Sequence, residues 1–373
     1  MIIVILPSRN EARNIKNITK IIDIGLSTYY PEVNSLILNV DSSSFDETAR
    51  IFTSCDTITS KKSLVLSNNE IGKGFNIKTG IQYGINNDFK YFLTIDSDIS
   101  SIEPFWIKAY LDRILFFSDD FITPIYKRNR YEGNTTNHFS SPLFYACWGV
   151  DIQQPIAGDF AFSELLAKKI LNSFEIESDY GYGVDTMMTW TALATSSKVS
   201  QVILERKIHN PSFLKIADMF PQVCLSTFYR IHKFRGDILE NIISGSFGKI
   251  NLYQNLDIDY SVPPDSQAIE QLQSFVIKYV TNFVDTSNFI SRQVNEDIWL
   301  DKLSSQLLRL LKSDELQFGS INTMVNEILP FYLARIINYI DWVASATPDD
   351  TFKCLIEQKR RLASIIKARC LFE

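Results

Sequence analysis

The sequence predicts an α/β domain with a mainly parallel central sheet, followed by a helical region, on three observations. Short apolar runs alternate with helix-length segments through roughly the first two hundred residues. Polar and acidic clusters stand directly after the apolar runs, and Gly319 is the only glycine beyond position 250. Apolar runs that alternate with amphipathic helices are the mark of strands buried between helical layers.

The opening MIIVIL stops at Pro7, so it reads as a buried strand and lacks the length and flanks of a membrane span or signal peptide. Ile15, Ile18, Ile22 and Leu26 recur at helical spacing, and residues 36–40 form a second strand. A helix is expected from Asp46, a strand at 64–66, and a helix carrying Ile77, Ile81 and Ile85. Residues 91–95 give the next strand and Trp106 to Leu111 the next helix. Between 133 and 182, Gly149, Gly158, Gly181 and Gly183 punctuate an irregular stretch, and residues 199–204 return to strand. Leu303, Leu307, Leu310 and Leu311, then Leu362, Ile365 and Ile366, mark amphipathic helices.

These elements divide into a catalytic domain at residues 1–215 and a mostly helical extension at 216–373. Residues 257–265, with Pro263 and Pro264, are the expected connection between catalytic and accessory parts. The extension is assigned as a cover for an acceptor site or as an oligomerisation region of a homodimer.

Of the 373 residues, 45% are apolar and 21% charged, as in an ordinary folded globule. A net charge of −6 supplies no general footprint for nucleic acid. The five scattered cysteines include no CxxC pair and read as free thiols of a reducing, cytoplasmic compartment.

In open α/β sheets, ligands bind beyond the carboxyl ends of the strands. Three polar clusters fall there: Pro7, Ser8 and Glu11; Asp41 through Asp46; and Asp96-Ser97-Asp98. The last is the sharpest, because a divalent cation with oxygen ligands can bridge carboxylates to a diphosphate. Asp98 is the expected metal ligand, with Asp96 left for a ribose hydroxyl or metal-bound water. A polar strand-end turn would leave the same local sequence. His209 offers a second ligand nitrogen, or a structural histidine. Ile71-Gly72-Lys73-Gly74 joins a turn to a helix, where Lys73 can face a phosphate, or solvent. It lacks the Walker spacing, and the first strand leads into no G-x-G-x-x-G, which counts against ATP hydrolysis and dinucleotide-dependent dehydrogenation. Asp41 is assigned to the nucleotide and Asp46 to the start of the next helix. Asp159 and Asp185 each stand before or at a helix start, so each can cap its helix or bind sugar hydroxyls.

PSRNE, VDSSSFDET, GKG and TIDSD, in that order, resemble the successive stations of the fold-A (GT-A) nucleotide-sugar glycosyltransferases. YKRNRYEGNTTNHFSSPLF, QQPIAGDFAFS, YGYGVDTMMTW and ERKIHNPS narrow the resemblance to the retaining mannosylglycerate and glucosyl-3-phosphoglycerate synthases, over residues 1 to 215. The resemblance implies a hexosyltransferase that uses Mg²⁺ or Mn²⁺ and takes its sugar from GDP-mannose, GDP-glucose or UDP-glucose. Asp41 and Lys73 would contact the nucleotide together with Pro7, Ser8, Glu11, Asp96, Ser97 and Asp98; Asp98 and His209 would hold the metal. Asp159 would lie near the donor sugar, and Asp185, Gly133, Asn134, Thr136 and Asn210 near the acceptor. Asn134 stands where the phosphoglycerate-using enzymes carry arginine, which points toward an unphosphorylated acid such as glycerate, although Lys127, Arg128 or Arg130 could compensate. The competing functions are a glycosyltransferase with a different acceptor, an inverting transferase, a sugar nucleotidyltransferase and a non-catalytic nucleotide-sugar-binding protein.

Overall fold

The computed structural model describes residues 1–209, 215–245, 247–248, 250, 263–264, 266–283, 294–315 and 317–372. The chain begins with β1 (Ile2–Ser8), α1 (Ile15–Tyr29), β2 (Ser35–Asp41), α2 (Thr48–Ser54), β3 (Ser60–Val65), α3 (Lys73–Asn86), β4 (Tyr91–Thr94) and α4 (Pro104–Phe117). Then come β5 (Phe121–Lys127), α5 (Ser141–Trp148), β6 (Phe160–Ser163), α6 (Glu164–Leu171), α7 (Val184–Ala194) and β7 (Val199–Arg206). Helices α8 (Ile216–Lys233), α9 (Arg235–Ser244), α10 (Ser266–Phe283), α11 (Glu296–Lys312), α12 (Phe318–Val343) and α13 (Pro348–Phe372) complete it.

Two compact units result: Met1–Tyr126 with Ile156–Asn210, and Lys127–Pro155 with Pro211–Glu373. The first holds a seven-stranded sheet in the order β3-β2-β1-β4-β6-β5-β7. β1 runs parallel to β2 and β4, and β2 parallel to β3, while β6 is antiparallel to both β4 and β5. All seven residues of β1 are buried because helices cover both faces of its part of the sheet. From α1, Ile15, Ile18, Ile22 and Leu26 enter this core at the spacing read from the sequence. Pro104 opens α4 at a position where its missing N–H costs nothing, and Trp106, Ile107, Tyr110 and Leu111 are buried on one stripe. Ser8 pairs in register with Asp41 and Ile5 with Thr94, so the carboxyl ends of β1, β2 and β4 stand side by side.

The second unit is a helical core around Trp299, Tyr332, Phe220 and Phe139. The Phe220 and Tyr332 rings stack with centroids 3.6 Å apart. Its packing takes in a segment from before the boundary expected at 215. Residues 127–155 join the helical unit because their polar groups are answered there: Arg130 donates to the Ala346 carbonyl (3.0 Å), Tyr339 to the Arg130 carbonyl (3.1 Å), and Trp299 to the His138 carbonyl (2.9 Å). Lys359 pairs with buried Asp151 at 2.9 Å. The irregular stretch expected at 133–182 contains α5, β6 and α6, and the strand expected at 64–66 begins earlier, at Ser60. Of the expected connection at 257–265, only Pro263 and Pro264 are described. Among the described residues, no helix is long and apolar enough to cross a membrane.

Candidate functional site

The polar strand ends of the first unit build one site. At the end of β1, Ser8 is buried; its hydroxyl donates to Asp41 (3.3 Å) and accepts from Asn39 (2.6 Å), while its carbonyl accepts from the Asn76 amide (3.2 Å). Asp41, also buried, accepts from the Ser44 backbone and hydroxyl, both at 2.7 Å. The β2 end is thereby closed into a turn by side chain to backbone bonds of the kind aspartate favours. Asp46 accepts from the Ala12 and Thr48 backbone N–H groups and so anchors the start of α2. Pro7 offers its carbonyl to the Ser97 hydroxyl at 2.6 Å, linking the β1 and β4 ends. Glu11 accepts from Asn14 at 2.9 Å in the first loop.

Lys73 opens α3 between Gly72 and Gly74. Gly72 has φ +152°, and a Cβ on Gly74 would lie 2.0 Å from the Asp179 carbonyl oxygen, so glycine is needed for this approach. The Lys73 ammonium reaches Asp96 at 2.6 Å and Asp185, in the first turn of α7, at 3.0 Å. A second ammonium, Lys207, lies just after β7, 2.7 Å from Asp159 and 3.7 Å from Asp96. Among the described residues, the four carboxylates of Asp96, Asp98, Asp159 and Asp185 therefore share the field of two lysines.

Burial first, and then these neighbouring charges, set the titration behaviour of the groups. Burial favours a neutral Lys73, but the Asp185 and Asp96 carboxylates outweigh it and hold the ammonium charged. Burial also acts against charge on Asp96, yet Lys73 and Lys207 on either side keep its carboxyl below the usual range. Burial pushes Asp185 up to about 6, an effect that Lys73 opposes and Asp96 reinforces. Asp98 is pushed up to about 6 by burial and then by Asp96. It makes no hydrogen bond or ion pair among the described residues, whereas His209 is close enough to Asp96 to act on its charge.

This donor set fits a hard divalent cation. The under-compensated carboxylate of Asp98, the excess negative charge and a histidine nearby are what such an ion would satisfy. Among the described residues, no cluster of three or more His, Cys, Asp or Glu side chains forms a self-sufficient metal cage. The fit is to a site shared with a ligand's oxygens, which is how Mg²⁺ is commonly held.

Asp159, which the resemblance sets near the donor sugar, is held inside the first unit. It is wholly buried, with one oxygen on the Asp96 N–H and the other on Lys207 and Tyr126. Gly133, Asn134 and Thr136 lie in the other unit; Gly133 has φ +69°, and Asn134 and Thr136 are buried. Asn134 donates to the Tyr131 carbonyl at 2.9 Å. Asn210 lies outside the described residues. Sequence reading missed Lys207, Tyr126 and Asn76. Only Lys207 left a signal, as a lysine just past a strand end and two residues before His209.

The parallel strands, the antiparallel β6 beside β4, and the helical region after the sheet make up an α/β fold of the GT-A type. Among solved structures, the chain is similar to glucosyl-3-phosphoglycerate synthase from Mycobacterium tuberculosis in complex with Mg²⁺ and uridine diphosphate. Identity is 21%, over 62% of this chain and 79% of that one, with a TM-score of 0.50. The same enzyme in complex with phosphoglyceric acid gives 22% identity over the same shares, with a TM-score of 0.49. No protein-family model matches the sequence, and no curated protein does.

Proposed function

We propose that the chain is a metal-dependent hexosyltransferase that moves a sugar from a nucleoside diphosphate onto a hydroxyl of a small acid such as glycerate. The observation that carries this reading is the cluster at the β4 end, where Asp98 has no ion-pair partner among the described residues while Lys73, paired with Asp96, stands at a helix start. A nucleoside diphosphate bound with its cation supplies the positive charge that Asp98 lacks and the phosphates that suit Lys73.

In this reading Mg²⁺ or Mn²⁺ would be held by Asp98 and His209 and would stabilise the charge that builds on the departing diphosphate. Lys73 adds positive potential on the same side. The acceptor oxygen forms a bond to the anomeric carbon as the bond from that carbon to the phosphate oxygen breaks, and the acceptor proton passes to the leaving phosphate. Attack and departure on one face retain the anomeric configuration. Asp185, tied to Lys73, orients the transferred sugar or the acceptor. Asp41 and Ser8 shape the nucleotide pocket by holding the β2 turn closed.

The test is a mass-spectrometric screen with Mg²⁺ or Mn²⁺ that crosses GDP-mannose, GDP-glucose and UDP-glucose with glycerate, 3-phosphoglycerate and lactate. A hexosylated acid in one pairing is expected, and Asp98→Asn should lower its formation about 100-fold or more. Because Asp98 is a half-buried charge without an ion-pair partner among the described residues, the same substitution should leave thermal stability unchanged or slightly raised. Donor binding without any product across the screen would sink the small-acid reading.

A further inference from the structure

We infer that Asp159, Lys207 and Tyr126 form a buried clip that sets the backbone of the Asp96-Ser97-Asp98 turn, so that Asp159 acts as a positioning residue. The inference rests on the reading of that turn as the cation and diphosphate site. Its starting point is where the β4 ladder stops. Thr94 is the last residue of β4 paired with β6, opposite Phe160. One residue further along the antiparallel pair, the Asp159 side chain takes over, and its Oδ1 accepts the Asp96 N–H at 2.8 Å. A carboxylate thus extends the ladder just where the chain must leave the sheet and present Asp98.

The rest of the arrangement fixes that carboxylate. Oδ2 accepts from the Tyr126 hydroxyl and from Lys207 Nζ at 2.7 Å. Lys207 Nζ also donates to the Ala157 carbonyl at 2.8 Å, Tyr110 donates to the Asp159 carbonyl at 3.2 Å, and the Thr94 hydroxyl donates to the Gly158 carbonyl at 3.0 Å. Gly158, at φ +85°, passes so close that a Cβ there would lie 2.1 Å from Asp96 Oδ2 and 2.5 Å from Lys73 Nζ. A buried ion pair of this kind contributes little net stability over an apolar pair of the same volume. What the apolar pair could not do is accept the Asp96 N–H and hold a second ammonium 3.7 Å from the Asp96 carboxylate. Partners behind metal-binding groups commonly set affinity by 10- to 100-fold through orientation alone.

The test measures Mn²⁺ binding to the full chain by electron paramagnetic resonance, with deuterium uptake of the peptide spanning residues 94–100 in metal-free protein. Asp159→Asn should weaken Mn²⁺ binding about 10-fold or more, and Tyr126→Phe, which removes one hydroxyl from the core, severalfold. Both should speed exchange at the turn. A core control, Ile81→Val, should lower stability without changing either readout, which separates positioning from general loosening. If Asp159→Asn and Tyr126→Phe bind Mn²⁺ like the parent while Asp98→Asn does not, the clip has no hold on the turn and the inference is overturned with the metal reading intact. Should Asp98→Asn also bind like the parent, the metal reading falls and takes the inference with it. If Asp159→Asn fails to fold, the Tyr126→Phe pair of readouts decides the question.

Discussion

Lys73 is the residue on which two partly buried carboxylates depend, at 2.6 Å for Asp96 and 3.0 Å for Asp185. Replacing it with methionine keeps the volume and removes the charge, which leaves both acids inside with Lys207 as their remaining ammonium. Breaking a buried pair in this one-sided way costs about 3–5 kcal/mol. Lys73→Met is therefore expected to lower urea stability by roughly 3 kcal/mol, and Lys73→Met with Asp185→Asn to recover part of that loss. A double-mutant cycle by urea unfolding checks it; additive losses would mean that the two side chains do not act as a pair.

At the level of elements, β6 and α6 are joined through Ser163. Its hydroxyl accepts the Leu166 N–H at 3.3 Å, capping α6, and donates to Asp120 at 3.0 Å. Ser163→Ala should cost about 1 kcal/mol, seen as a lower unfolding midpoint with an unchanged denaturant slope. The same region marks the limit of what the sequence disclosed. β1, α1 and β4 were legible because their apolar residues repeat cleanly, and the Asp96-Ser97-Asp98 cluster because it follows such a strand. β6 is four residues long and sits among glycines, too short for a period to declare itself. β3 lies at the sheet edge and carries Lys61 and Lys62, so its composition hides it. The charge sharing between Lys73 and Lys207 needed three dimensions, since Asp96, Asp159, Asp185 and Lys207 are far apart along the chain.

On the scale of the molecule, the helical unit carries its own response to acid. In the helical unit, His138 is fully buried, with Nδ1 3.0 Å from the Gln358 carbonyl oxygen and the Tyr339 ring at 4.3 Å. Burial, with the Arg335 charge adding to it, lowers its pKa from 6.5 to about 3. The folded value lies below the unfolded one, so the unfolded chain takes up the proton first. Stability from this group is complete above about pH 6.5 and declines as the pH falls toward about 3. The loss should reach roughly 2 kcal/mol at pH 5 relative to pH 8. Hydrogen exchange at the two pH values, corrected for intrinsic rates, should show loosened peptides around α5 and α13, and His138→Gln should flatten that dependence.

The path of the chain between the units also dictates an order of events at the ribosome. β4 and β5 emerge first, yet the strand that lies between them in the sheet, β6, follows 32 residues after β5 ends, once a segment has been left for the other unit. Until β6 is synthesised, β4 and β5 have no common neighbour and the nascent sheet holds a gap one strand wide. The acidic turn at the end of β4 therefore exists as sequence well before it can exist as a site, because Asp159 and Lys207 are among the later residues of the first unit to leave the exit tunnel.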